Sequence, residues 1–262
     1  MSTRRTRDAG AVPRSRRLAI ASIVAAACLV TAGVVAVGAH TASAQDTVAA
    51  AGARSSAGRP ERAGDLGARR AQVVSGAVGT AAPGAVRFAY AGDSITARPD
   101  SWLHALESDP AVHAVGGYAR SGARSDEVSA EVGSVPDAEV LVVEVGTNDV
   151  NQAVPTTDTL RSVDAIVRRV GAARVLVVAG PPSDRTTSQW GADRRAGQLV
   201  LTAALRRDAE DHGWSFVDPF VPFRAADGGW VSGTTPDGIH PSAAASEVIG
   251  RTMAEAITRT AH

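Results

Sequence analysis

The chain has 262 residues, 44% of them hydrophobic, with 27 basic and 27 acidic side chains. That is enough for one sizeable core, with residues left over for a tail. The charge is unevenly spread: residues 1–44 hold six arginines and one acid, Asp8, which leaves 21 basic against 26 acidic residues in the remainder. A mildly acidic body gives no reason to expect nucleic-acid binding, which needs a concentrated basic surface. No stable protein partner is implied either.

In chain order, Met1 to Arg17 is arginine-rich, Leu18 to Gly38 is apolar, and Ala42-Ser43-Ala44 offers small residues of the A-x-A kind. This succession is that of an export signal. Residues 1–44 are therefore expected to form a signal peptide cut near Ala44, giving a secreted protein. The alternative is an uncleaved anchor over residues 18–38, long enough to approach a membrane span; only that alternative involves a membrane. Cys28, the one cysteine, lies in the apolar run, so no disulfide is expected in the mature protein. Residues 45–84 are rich in Ala, Gly, Ser and Arg, lack aromatic residues, and read as a flexible linker, with a short helix over Gly64 to Val74 as an option.

From residue 85 short apolar runs alternate with amphipathic stretches. Strands are expected at Val86–Ala91, Ala111–Tyr118, Glu139–Val145, Arg174–Ala179 and Trp214–Asp218, and helices at Trp102–Glu107, Thr157–Val170, Ala192–Asp211 and Ala243–Thr258. Continuous Val/Leu runs suit strands buried on both faces of a parallel sheet. The alternation predicts one domain over residues 85–262. Its fold class is α/β, a three-layer α/β/α sandwich around a mostly parallel five-stranded sheet.

In such sheets the site lies beyond the carboxyl ends of the strands. Gly92-Asp93-Ser94 follows the first strand, Ser121-Gly122 the second and Gly146-Thr147-Asn148-Asp149 the third, while Asp237-Gly238-Ile239-His240-Pro241 precedes the last helix. A serine hydroxyl needs a base within hydrogen-bond reach to become a nucleophile, and His240 can supply one. Asp237, three residues earlier, can accept the other ring proton and fix the tautomer. The backbone N–H groups of Ser94 and Gly122 and the Asn148 amide can serve as donors to an oxyanion.

Each of these segments alone reads more simply as a turn or a helix cap. Together, and in this order, they resemble the SGNH hydrolases, also called GDSL-type esterases and lipases, from about Val86 to the carboxyl end. The resemblance implies a flavodoxin-like fold, with Ser94, Asp237 and His240 as a catalytic triad and Ser94, Gly122 and Asn148 as an oxyanion hole. One departure stands out. Many members carry an asparagine shortly before the block glycine, where this chain has Gly116-Gly117-Tyr118-Ala119-Arg120.

His104 and His113 lack metal-like spacing, and His212 sits near an expected helix end, where a cation is favourable. No H-E-x-x-H, C-x-x-C or phosphate-cradling glycine motif occurs, so neither metal nor cofactor is expected. Arg168-Arg169, Arg194-Arg195 and Arg206-Arg207 read as solvated helix faces. An α/β-hydrolase would place its serine within G-x-S-x-G in mid-chain, unlike Ser94. The expected function is hydrolysis of small acyl esters, some of them on carbohydrate, through an acyl-serine. Alternatives are a lipase or lysophospholipase, an acyltransferase on the same site, or an inactive surface-binding module. Pro181 to Asp193, with Arg185 and Trp190, is a candidate substrate-binding loop and reads equally as a plain surface loop.

Overall fold

A computed structural model of the chain describes residues 72–262. The expected signal peptide or anchor, Cys28, the A-x-A site and most of the linker lie outside these residues. So does most of the optional helix at 64–74.

The chain runs β1 (Val73–Ser75), β2 (Val86–Gly92), α1 (Ser94–Ala97), α2 (Trp102–Ala105), β3 (Val112–Arg120), α3 (Ser125–Glu131) and β4 (Val140–Glu144). It continues through α4 (Thr147–Asn151), α5 (Thr156–Val170), β5 (Arg174–Val178), α6 (Arg194–His212), β6 (Ser215–Val217) and α7 (Ala243–Ala261). The strands form one sheet in the order β1-β3-β2-β4-β5-β6. All neighbouring pairs are parallel except β1 with β3.

The sheet thus has six strands rather than five. The extra strand falls inside the stretch read as linker, so residues 72–84 belong to the folded body. Three residues are too few to show an alternating pattern, and β1 is held by an edge rather than by a core of its own. It pairs with Tyr118–Arg120, and the Tyr90 hydroxyl donates to the Gly76 carbonyl at 2.9 Å. The Gly116–Arg120 departure is the end of β3, which pairs on β2 with a register shift between Phe88 and Ala89.

Alternation along the central strands builds the three layers. Phe88 and Tyr90 of β2 and Val140 and Val142 of β4 face one core, shared with Trp102, Leu103, Ile249, Met253 and Ile257 of α2 and α7. Ala89, Ala91, Leu141 and Val143 face the other, with Val128, Val163, Ile166, Leu201 and Leu205 of α3, α5 and α6. After β2 the chain moves to β3 on one side, and after β4 to β5 on the other. A crevice therefore opens beyond the carboxyl ends of β2 and β4, where connections part to opposite sides.

Candidate active site

Ser94 stands at the end of β2 as the first residue of α1, and Asp93 just before it caps the turn by accepting from the Ile95 N–H at 3.0 Å. The other Asp93 oxygen accepts from the Thr147 N–H at 3.1 Å, which ties the loop after β2 to the loop after β4. Asp93 is fully buried, and burial pushes its pKa up to about 7 against the pull of these N–H donors. Glu144, the last residue of β4, is equally buried. Burial and the neighbouring Asp93 raise it well above the usual carboxylate range, while it accepts from the Thr96 hydroxyl at 2.9 Å. Two buried carboxyl groups, both raised above their ordinary range, thus sit at the ends of β2 and β4 next to Ser94.

The loop after β3 carries Gly122 at φ +81°, and a Cβ there would point into open space. Backbone conformation, not crowding, is what calls for glycine at this position. The loop after β4 turns on Gly146 at φ +114°, where a Cβ would also sit 2.5 Å from Leu201. It delivers α4, of which Asn148 and Asp149 are tied to neighbouring elements. The Asn148 amide donates to the Ala123 carbonyl at 2.9 Å, beside Gly122. Buried Asp149 accepts from the Ser125 hydroxyl at 2.5 Å, the Ser125 N–H at 2.8 Å and the Thr159 hydroxyl at 3.1 Å, pinning α4 to α3 and α5.

The fourth segment winds through Gly238 before α7. One Asp237 oxygen accepts from the N–H groups of Ile239 (2.9 Å) and His240 (2.8 Å). The other meets His240 Nδ1 at 2.7 Å, and His240 Nε2 lies 2.9 Å from Ser94 Oγ. Partial burial disfavours ionised Asp237, but the backbone and ring N–H groups of His240 and the Ile239 N–H outweigh it and hold the pKa at about 2. An ionised carboxylate on Nδ1 keeps a proton there and leaves Nε2 to accept the serine proton.

The structure therefore brings together five of the expected site residues, Ser94, Gly122, Asn148, Asp237 and His240. All but Asp237, which sits behind His240, line a cavity of about 610 Å³, within the range of small-molecule sites. Arg185 does not line it, although its guanidinium donates to the Asp237 carbonyl at 3.1 Å. Trp190 is 48% exposed on the Ser188–Ala192 turn and stands outside the cavity. Ser121 and Thr147 of the motif segments line it too, Gln72, Arg98, Asn151 and Arg194 line it unforeseen, and Ile239 is its one aliphatic side chain among the described residues. Gln72 was hidden by the missed strand, and Arg194 by its place in a run of helical charges. Away from this cavity, Asp164, Asp208 and His212 bring possible metal-ligand atoms within 4.8 Å of one another. His212 is engaged there by the Asp208 carbonyl at 2.8 Å and stacks on Trp214, so the group reads as a helix-end cluster.

The GDSL-like lipase/acylhydrolase family profile matches residues 90–248, which includes all four segments. No curated protein matches the chain. Among solved structures the chain is similar to a GDSL-like lipase from Bacteroides thetaiotaomicron, at 18% identity over 66% of this chain and 88% of that one, with a TM-score of 0.54. It is also similar to a member of the lipolytic G-D-S-L family from Veillonella parvula, at 17% identity over 66% and 98%, with a TM-score of 0.52. These likenesses are of fold; the profile match covers more than half the chain. On that match, this protein belongs to the GDSL-like lipase/acylhydrolase family, the SGNH hydrolases, and is a carboxylic ester hydrolase.

Proposed function

We propose that this chain is an exported serine esterase that removes small acyl groups from polar alcohols, carbohydrates among them. The observation that carries the mechanism is the hydrogen-bond chain from Ser94 Oγ through His240 to Asp237, at 2.9 and 2.7 Å. In the proposed cycle His240 takes the Ser94 proton as Oγ attacks the ester carbonyl carbon. The Ser94 and Gly122 N–H groups and the Asn148 amide hold the resulting oxyanion. Collapse breaks the bond to the alcohol oxygen, which leaves with the proton from His240. Water then gives its proton to His240, attacks the acyl-serine and releases the carboxylic acid, returning the proton to Ser94.

The scarcity of large apolar side chains in the cavity wall supports a short acyl group. A long chain would need a lining of aliphatic or aromatic side chains, and Ile239 is the only one among the described residues. This makes the lipase alternative the weaker one. Export is supported by the arginine-rich start, the apolar run at 18–38 and the A-x-A site. Among the described residues no helix is long and apolar enough to cross a membrane.

A series of 4-nitrophenyl esters from acetyl to decanoyl, run beside an acetylated polysaccharide, tests the substrate reading. Turnover should peak at two to four carbons; a peak at eight or more would overturn it. Amino-terminal sequencing of the secreted protein should begin at Gln45.

A further inference from the structure

The cavity beside Ser94 holds one charge for which ester cleavage has no use. Arg194, the first residue of α6, is 8% exposed and lines the cavity together with Ser94, Asn148 and His240. Its guanidinium has no hydrogen-bond or ion-pair partner among the described residues, and its Nε is fully buried. The neighbouring arginines are all engaged. Arg98 grips Asp100 through two nitrogens, Arg195 bonds Asp227 and the Ser183 carbonyl, and Arg185 donates to the Asp237 carbonyl.

A buried cation without a counter-charge is costly, because it forfeits hydration without receiving an anion in return. Position adds to the cost. Arg194 opens a 19-residue helix, where the positive end of the macrodipole disfavours a cation. Burial pulls its pKa below the ordinary value and the charge of Arg185 adds to this, while Asp237 and Asp93 work against it. Neither acid bonds to it: Asp237 is taken by His240, and the two Asp93 oxygens accept from the Ile95 and Thr147 N–H groups. Packing gives no reason for the charge, since Leu201 and Leu205 supply the core face of α6. Unfavourable placement of this kind is tolerated where a ligand completes the site.

We propose that Arg194 is an anion-recognition residue, and that the preferred ester carries a carboxylate or phosphate which docks on it while the ester carbonyl meets Ser94. The inference rests on reading this cavity as the ester site. The planar guanidinium matches two oxygens of either anion, and the same helix end that disfavours Arg194 favours the incoming charge. A neutral ester would leave the cation buried and unpaired, so the preference works by exclusion as well as attraction.

The test compares matched esters on the purified full chain. Phenyl acetate is set against 4-acetoxybenzoate and 4-acetoxyphenyl phosphate, and 4-nitrophenyl butyrate against mono-4-nitrophenyl succinate. Wild type should favour an anionic member by at least about tenfold in kcat/KM, because a neutral ester leaves the built polar partner bare. The anionic-to-neutral ratio should fall towards one in Arg194→Met and be partly kept in Arg194→Lys. The carboxylate and phosphate arms tell which anion is meant. An equal ratio in wild type and Arg194→Met, or no anionic preference in wild type, overturns the proposal. Thermal melting separates structure from recognition: Arg194→Met should melt no lower than wild type, and a lower melt with unchanged selectivity assigns Arg194 to stability alone. If no ester is turned over, the esterase reading fails by itself. Calorimetry with inorganic phosphate and with benzoate then decides: binding abolished in Arg194→Met supports the anion site, and no binding to wild type overturns it.

Discussion

Replacing Asn148 by alanine separates the oxyanion role from mere support of the loop. The Asn148 amide nitrogen carries two hydrogens. One is engaged by the Ala123 carbonyl at 2.9 Å, which fixes the side chain and leaves the second for the cavity that Asn148 lines with Ser94. Removing one oxyanion donor costs about 10²–10³-fold in kcat, or roughly 2.7–4 kcal/mol. The loss should fall on kcat and leave KM within about threefold, because the donor acts on charge that exists only in the transition state. Truncation also strips a donor from the Ala123 carbonyl, at a cost of about 1–3 kcal/mol in stability. For a domain of this size that lowers Tm by roughly 2–12 °C. Steady-state kinetics with 4-nitrophenyl acetate, beside thermal melts, read both. Asn148→Asp provides a sharper arm, since a carboxylate at this position repels the oxyanion and should be slower than alanine despite its matching shape. A kcat within about threefold of wild type in Asn148→Ala, or a loss confined to KM, would refute the donor role.

Gly122→Ala should fold and yet lose turnover. Its φ of +81° costs an alanine about 1–2 kcal/mol, and the open space around the new Cβ offers no clash to unfold it. Relief of that strain rotates the Gly122 N–H away from the oxyanion, so kcat should fall by about tenfold or more while the melt shifts by only a few degrees; unaltered kcat would count against Gly122 as a donor. The buried acids predict a pH dependence of stability. Asp93 and Glu144 are raised above their unfolded values, so the folded state keeps protons that the unfolded chain releases. Stability is then greatest below about pH 4 for these groups and falls as pH climbs towards 7, by up to ~1.4 kcal/mol per pH unit for each proton. Glu144→Gln should flatten that slope in urea melts from pH 5 to 8; an identical slope would contradict the account. Asp237 has the opposite sign. With its pKa held at about 2 it is ionised throughout this window, and its contribution is lost only as pH falls towards 2.

Much of this was legible in the residues because strand ends announce themselves. Val/Leu runs fix β4 and β5, and the polar residues that interrupt them mark the rim where Ser94, Asn148 and His240 meet. Several of the short elements were not legible, although α2 and β6 were. β1 has three residues and owes its existence to the free edge of β3 and the Tyr90 hydroxyl, partners forty-odd and about fifteen positions away. α1, α3 and α4 are too short to show a period, and Asp93, Asp149 and Ser125 hold their ends through bonds between distant loops. Trp190 drew notice as a large side chain in a candidate loop, but the local turn from Ser188 to Ala192 leaves it outside the cavity. Arg194-Arg195 reads in the sequence as a solvated helix face, which is wrong for Arg194, 8% exposed. Only the fold reveals that its neighbour Arg195 is paired while Arg194 is buried beside Ser94.

The central claim is that Ser94 carries the acyl group. Peptide mass spectrometry of the enzyme after reaction with a serine-directed fluorophosphonate, or after acid quench during turnover of a 4-nitrophenyl ester, tests it most directly. One adduct on the peptide containing Ser94 is predicted, absent from Ser94→Ala, which should also lose at least about 10³-fold in turnover. An adduct on another residue, or near-normal turnover by Ser94→Ala, would contradict the account.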